Sequence, residues 1–231
     1  AETRVVLLEG GPRILSAFAE ELSVRAVEQL KELGVEVHVG TRVSKIDASG
    51  VQIGEEHIDA ATVLWGAGVR ASRLGKAMGV ELDPQGRVKV GADLALADRP
   101  EVFVIGDMAR VEVDGQVVPG LCPAAMQMGR AVAKNIAASA GDRARTPFRY
   151  WDKGTMATIG RSRAIAQVKK MQMSGFLAWL AWLFIHLLFL IGFRNRVAVL
   201  LEWAWSYMTY KRGARLITEA AANADPRPTS K

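Results

Sequence analysis

The 231-residue sequence predicts an α/β fold: a parallel sheet built on a βαβ unit, a small antiparallel meander after it, and C-terminal helices suited to a membrane surface. Three observations carry this expectation. An aliphatic strand, an amphipathic helix and a second strand succeed one another within residues 4–39. Short alternating segments separated by glycine turns fill residues 41–59. Charge is also split unevenly along the chain. Residues 1–150 hold 18 Lys and Arg against 20 Asp and Glu, whereas residues 151–231 hold 12 against 4, with five of the six tryptophans. A near-neutral globular part followed by a basic, Trp-rich, apolar part points to a lipid surface, and nucleic acid is not expected as a partner.

Taken in order, Arg4–Glu9 reads as a buried strand, a short aliphatic run closed by Gly10, Gly11 and Pro12. Ser16 is expected to cap the next helix, whose apolar residues Leu22, Ala26, Leu30 and Leu33 recur at helical spacing until Gly34 stops it. Val35–Val39 is the returning strand, parallel to the first. Thr41–Asp47, Val51–Ile53 and His57–Asp59 make the meander. Thr62–Trp65 is an apolar strand leading into Gly66-Ala67-Gly68, and Asp83-Pro84-Gln85-Gly86 is a tight turn. Val102–Ile105 is a further strand, ending on Gly106-Asp107, and Ala124–Ala138 is a helix entered through Cys122-Pro123. Phe176–Phe193 is a run of 18 residues with no formal charge when His186 is neutral. As a helix it spans about 27 Å, just short of a hydrocarbon core. Val197–Tyr210 is amphipathic, and basic residues stand on every side: Lys169 and Lys170, Arg194 and Arg196, Lys211, Arg212 and Arg215. Charge at both ends predicts a helical hairpin lying in the headgroup plane, with a spanning helix as the alternative. The polar tail, residues 222–231, is expected to be disordered.

Composition excludes several chemistries. One cysteine, Cys122, cannot form an intrachain disulfide, a CxxC redox pair or a four-cysteine zinc site. Three scattered histidines make a metal centre an unpromising reading, so no metal is expected. What remains is ligand chemistry at strand ends. Glu9 closes a strand of a βαβ unit, where a carboxylate hydrogen-bonds ribose hydroxyls and disfavours a 2′-phosphate; the alternative is an ordinary exposed carboxylate. The glycine fingerprint that precedes such a residue by about 20 positions is not in the sequence. The chain therefore reads as starting at the second strand of a nucleotide-binding unit. Ala67 and Gly68 let backbone approach a flat ligand, or simply make a turn. Gly106-Asp107 delivers a carboxylate to a strand's C-terminal edge, where ligands bind open α/β sheets, or caps a turn. Ala124 and Ala125 start a helix whose N–H groups and dipole suit an electron-rich carbonyl, unless their small size serves packing.

The series VVLLEGG, TVLWGAGVRAS, VFVIGDMA, PAAMQMGRAVAKNI and DKGTMATIGRSRA, followed by SGFLAWLAWLFIHLLFLIGFRNR and WAWSYMTYKRGARLI, resembles type II NADH dehydrogenase. That family is the FAD-dependent, non-proton-pumping NADH:quinone oxidoreductase of respiratory membranes. The likeness runs from about Arg4 to Ile217 and implies the C-terminal half of a longer protein, with a partial two-dinucleotide-binding-domain flavoprotein fold. It implies the second part of an NADH-binding domain over residues 1–66, the C-terminal part of an FAD-binding domain over 67–150, and a quinone-site and membrane-anchoring module over 151–221.

Position by position, the resemblance implies cofactors FAD and NADH. Glu9 would bind the NADH ribose, Ala67 and Gly68 would lie near the nicotinamide, and Asp107 would hydrogen-bond the FAD ribitol beside Gly106. Ala124 and Ala125 would place backbone N–H groups by the isoalloxazine. Gln127, Lys153 and Met156 would lie on the quinone side, where no side chain need act as a catalytic group. Implied partners are a membrane quinone, the lipid bilayer surface and, in the full-length protein, a second copy in a homodimer. The implied location is the cytoplasmic face of the inner membrane. Cys122-Pro123 departs from the family's usual Ala-Gln or Ala-Pro. Another quinone-linked flavoprotein, such as a sulfide:quinone reductase, and a non-catalytic membrane-bound remnant stand as alternatives.

Overall fold

A computed structural model describes residues 3–209. Strand β1 (Val5–Leu8) pairs in parallel with β2 (Val35–His38), in register from Val5 opposite Val35 to Leu8 opposite His38. Helix α1 (Glu20–Glu32) crosses between them, burying Leu22 and Ala26 on one face. This is the expected βαβ unit, with one correction at the helix start. Ser16 lies outside the helix, the N-cap is Ala19, and the Ala19 N–H donates to Gln167 Oε1 at 2.8 Å. An orphan donor of the first turn is thus satisfied from far along the chain rather than by a neighbouring hydroxyl. The meander follows as β3 (Lys45–Ile46), β4 (Gly50–Ile53) and β5 (Glu56–Asp59), antiparallel throughout.

The strand expected at Thr62–Trp65 is absent. Residues 60–70 carry no regular structure, with Leu64 91% and Trp65 67% exposed. A strand exists only through its ladder, and this segment pairs with no strand among the described residues, although Trp65 lies near Lys45 and Ile46 of β3. Beyond it, α2 (Leu74–Ala77) leads to the Asp83–Gly86 turn, closed by the Gly86 N–H on Asp83 O at 2.9 Å. Then come β6 (Val88–Lys89), β7 (Ala109–Arg110) parallel to it, and the hairpin β8 (Glu112–Val113) with β9 (Gln116–Val117). Val102–Ile105 is also not a regular strand: one bridge joins Phe103 to Ala95, and the segment passes directly into a 3-10 turn at Gly106–Met108. Val104 is buried and Val102 and Phe103 pack against the core, whereas Ile105 is exposed. Val104 packs with Val88, Leu94, Val111, Met128 and Phe148 in a core covered by α3 (Cys122–Ala140). Within that core Asn135 accepts from the Thr146 N–H at 3.0 Å and donates to Asp93 O at 3.2 Å, fixing the far end of α3.

The last third holds a sheet that the sequence pattern did not announce. Strands β10 (Thr155–Gly160), β11 (Arg163–Val168) and β12 (Met171–Gly175) form an antiparallel meander, and Lys169-Lys170 make its second turn. Alternation decides what β11 touches. Ile165, fully buried, faces Ile14, Phe18, Leu22 and Ala26 of the first unit. Ala164 and Ala166 face the other way, against Ala178 of α4 (Phe176–Phe189). A Cβ on Gly160 would lie 2.7 Å from Leu33 Cδ1, so glycine is what lets the end of α1 approach β10. The apolar run is not one helix to Phe193: α4 ends at Phe189, and α5 (Phe193–Thr209) starts after Gly192, at φ +83°. Among the described residues no helix is long and apolar enough to cross a membrane. Tyr210, Lys211, Arg212, Arg215 and the tail 222–231 lie outside the described residues.

Candidate functional site

Glu9 follows β1 directly, and backbone bonds fix it on both sides: its N–H donates to His38 O and its carbonyl accepts from the Thr41 N–H, each at 2.9 Å. Its Oε1 accepts the Gly11 N–H at 2.6 Å, which folds the carboxylate over the Gly10-Gly11 turn. The other carboxylate oxygen makes no hydrogen bond within the described residues. Arg13, four residues on, turns its guanidinium into the loop. It donates to Phe18 O (2.8 Å), Ser23 Oγ (2.7 Å) and Ser16 O (2.9 Å). The strand end therefore offers a carboxylate acceptor, which suits a vicinal diol. Arg13 does not face it, while Arg42, next to Thr41, is exposed with no hydrogen bond or ion pair among the described residues. Arg13 carries no motif signal of its own; only the fold shows where it goes.

Gly106 and Asp107 meet the start of α3, as the sequence suggested. Gly106 adopts φ +67°, and its N–H donates to Met128 Sδ at 3.2 Å. A Cβ there would stand 3.6 Å from the Ala125 Cβ, so the glycine keeps the cleft between the 3-10 turn and α3 open. The Asp107 side chain is exposed and has no hydrogen bond or ion pair among the described residues. An unpaired carboxylate beside small residues is an acceptor that fits the hydroxyls of a polyol. Ala124 is buried and Ala125 half-buried. Their N–H groups are not free, because both donate to Leu121 O at 3.0 Å. The expectation of unpaired donors at these two residues is corrected: the helix start contributes its dipole and its lack of bulk. Ala67 and Gly68 sit on the exposed 60–70 segment, where the Gly68 N–H donates to Gly66 O, and no hydrogen bond joins them to the Asp107 cleft.

On the other side of α3, Gln127 uses both amide atoms on the Trp151 backbone, donating to Trp151 O and accepting the Trp151 N–H, each at 3.0 Å. Gln127 thus positions the chain at 151–153 rather than presenting a free amide. Lys153 is not paired with Asp152, whose Oδ1 accepts the Gly154 N–H at 2.8 Å. Its ammonium lies 5.4 Å from the Trp151 ring centroid and 5.5 Å from that of Phe189, at the end of α4. Two ring faces hold the cation between the α3 side and the helical hairpin. Met156, on β10, packs with Met173 and Trp179 against Ala164, Ala166 and Ala178, on the apolar bed beneath α4. Nearby, burial and then the Asp152 charge raise the Tyr150 phenol above its ordinary pKa. Trp182 stacks on Trp203, and Trp179 meets Tyr207, whose hydroxyl is 2.7 Å from Ser162 Oγ. These contacts line an apolar cavity of about 390 Å³ between α4 and α5. Cys122 is a free, exposed thiol, and no group of metal-ligating side chains occurs among the described residues.

Comparison with known proteins fits this geometry. The profile of the pyridine nucleotide-disulphide oxidoreductase family matches residues 1–129, and that of the NDH2 C-terminal domain matches residues 152–211. Two type II NADH:quinone oxidoreductases of Mycobacterium tuberculosis are similar along the chain. Ndh is 40% identical, covering 98% of this chain and 50% of its own length; NdhA is 41% identical, covering 94% and 48%. The chain thus spans about half the length of these curated relatives. Among solved structures, NDH2 from Plasmodium falciparum in complex with NADH superposes with a TM-score of 0.77 at 13% identity, over 88% of this chain and 57% of that one. A FAD-dependent pyridine nucleotide-disulphide oxidoreductase from Desulfovibrio vulgaris superposes with a TM-score of 0.57 at 24% identity, over 71% and 42%. At these identities the superpositions speak for the fold.

Proposed function

The chain belongs to the pyridine nucleotide-disulphide oxidoreductase family, in its type II NADH dehydrogenase branch, and from that premise we propose that it is the quinone-facing half of an NADH:quinone oxidoreductase. In this reading residues 1–66 complete an NADH-binding domain, 67–150 complete an FAD-binding domain, and 151–221 form the quinone and membrane module. The observation that carries it is the Lys153 clamp. Gln127 holds Trp151 against α3, and Lys153 lies between Trp151 and Phe189. α3 is thereby linked to the apolar hairpin through the Trp151 backbone and the Lys153 cation between two rings.

Glu9 would accept hydrogen bonds from the adenosine ribose of NADH, and its negative charge would disfavour a 2′-phosphate. Asp107, with Gly106 and Ala125 keeping the cleft open, would hold the ribityl hydroxyls of FAD. FAD, when bound, supplies the two-electron transfer between nicotinamide and quinone. Lys153, exposed beside Trp151 and Phe189, would stabilise negative charge on a quinone oxygen as it is reduced. Trp151, Phe189 and the hairpin would admit quinone from the bilayer, with the protein resting on the cytoplasmic face of the inner membrane as a homodimer.

The test is to purify the polypeptide that carries this sequence, record its flavin absorbance, and follow NADH oxidation together with quinol formation. The proposal expects one quinol per NADH, with NADPH a poor substitute. NADH oxidation without quinol, or a preference for a disulfide acceptor, would overturn it.

A further inference from the structure

The turn between α4 and α5 is built unlike a surface loop. Its outward side chains are the most exposed large apolar groups of the hairpin: Ile191 is 88% and Phe193 81% exposed, with Leu188 and Phe189 half exposed beside them. Its polar side chains instead reach inward to the backbone. Arg196 donates from Nε to Leu190 O at 2.9 Å and from Nη2 to Leu188 O at 2.8 Å, and Asn195 donates to Ile191 O at 3.0 Å. Backbone donors take two more carbonyls, with the Leu190 N–H on Leu187 O and the Arg196 N–H on Gly192 O. On a wetted surface these carbonyls need no such partners, because water serves the C-terminal end of a helix well. Five carbonyls, those of Leu187, Leu188, Leu190, Ile191 and Gly192, are thus satisfied internally with apolar groups outward, as an apolar solvent favours, whereas the N–H groups of Ile191, Gly192 and Phe193 have no partner among the described residues. Arg194, between Phe193 and Asn195, is exposed and has no hydrogen bond or ion pair within the described residues, so a cation stands directly behind the tip.

The geometry points to Leu190–Phe193 as a wedge that enters the bilayer deeper than the middles of α4 and α5, its backbone capped by Arg196 and Asn195, while Arg194 meets anionic lipid phosphates. This rests on the membrane-docking reading above and deepens it. That reading alone is met by a hairpin lying flat, with every apolar residue at one depth. Charge complementarity selects the lipid: phosphatidylglycerol-type headgroups lie where a cation one residue behind an inserted phenylalanine would sit.

The experiment uses the full chain with Cys122→Ser, spin-labelled singly at Phe184→Cys, Ile191→Cys or Leu201→Cys, on vesicles of phosphatidylcholine with and without phosphatidylglycerol. Label depth is read from relative accessibility to oxygen and to a polar nickel reagent. The wedge predicts position 191 deepest, with 184 and 201 shallower and alike. Arg196→Lys keeps the charge but cannot hold both carbonyls. It should bring position 191 to the depth of the other two and weaken vesicle partitioning roughly tenfold. Arg194→Gln should keep the depth order and remove the dependence on phosphatidylglycerol. Binding with all three labels at one depth, or an unaffected Arg196→Lys protein, overturns the wedge and leaves membrane docking standing. Immobilisation of the 191 label without lipid, in a dimer, assigns the tip to a second copy and also overturns it. Failure to bind any vesicle overturns the docking reading itself.

Discussion

Ile165→Ala tests the joint on which the arrangement of the two halves depends. Ile165 is fully buried and is the one residue of β11 in the core formed by Ile14, Phe18, Leu22 and Ala26. The substitution removes three side-chain carbons, worth ~2.4 kcal/mol at ~0.8 kcal/mol each. The cavity left between a helix and a strand raises the cost to about 3–4 kcal/mol. Ile165→Val, which removes one carbon, should cost about 1 kcal/mol. Urea unfolding followed by far-ultraviolet circular dichroism reads both, as a lower midpoint at unchanged slope. Met171→Ala, at an exposed position on β12, is the control and should cost less than ~0.5 kcal/mol. An Ile165→Ala protein no less stable than the Met171→Ala control would refute the packing of α1 on the C-terminal sheet.

Gln127→Leu removes both hydrogen bonds to the Trp151 backbone. At ~1 kcal/mol per bond it should raise the quinone KM roughly thirtyfold and leave the NADH KM unchanged; a matching rise in both would contradict a positioning role. Glu9→Ala should narrow the preference for NADH over NADPH by about tenfold or more, measured as the ratio of kcat/KM values, and an unchanged ratio removes Glu9 from the ribose site. Acid should weaken the core around α3. Burial pushes the Asp83 and Asp93 carboxyls up, but hydrogen bonds and charge from Arg87 and Arg145 outweigh it and hold both below the ordinary carboxylate range. Their contribution is then complete above the unfolded value of about 3.9 and is lost as pH falls through the lower folded values. Asp83→Asn should flatten the acid limb of a stability–pH curve, and an unaltered limb would exclude this pair as a cause.

Local signals made part of this fold legible. Alternation and turn residues placed β3 to β5, the 3.6-residue rhythm of Leu22, Ala26 and Leu30 placed α1, and Cys122-Pro123 marked the start of α3. Failures came where structure depends on distant partners. Thr62–Trp65 has strand composition but no ladder, and Val102–Ile105 commits Val102, Phe103 and Val104 to a core without a full one. The β10–β12 sheet escaped because its turns, Arg161-Ser162 and Lys169-Lys170, carry no Gly, Pro, Asn or Asp signal and the apolar run after it dominates the pattern. Motif reading singled out Glu9 and the Gly106-Asp107 pair as candidates, and their ligand roles stand as proposals. It missed the residues that act by holding others: Arg13 on its loop, Gln167 on α1, Phe189 against Lys153 and Arg196 on the hairpin turn. Such roles are set by tertiary geometry, which spacing along one chain does not encode.

The account assigns two tasks to separate parts of the protein: reaction with NADH to the folded α/β part, and delivery to lipid-borne quinone to the hairpin from Phe176 onward. The most direct test truncates the protein after Gly175, keeping β12 and the sheet packed on α1. It then compares NADH oxidation driven by ferricyanide in water with that driven by a long-chain quinone in vesicles. The account predicts that the ferricyanide rate persists while the vesicle-quinone rate is lost. Equal loss of both rates, or retention of both, would contradict it.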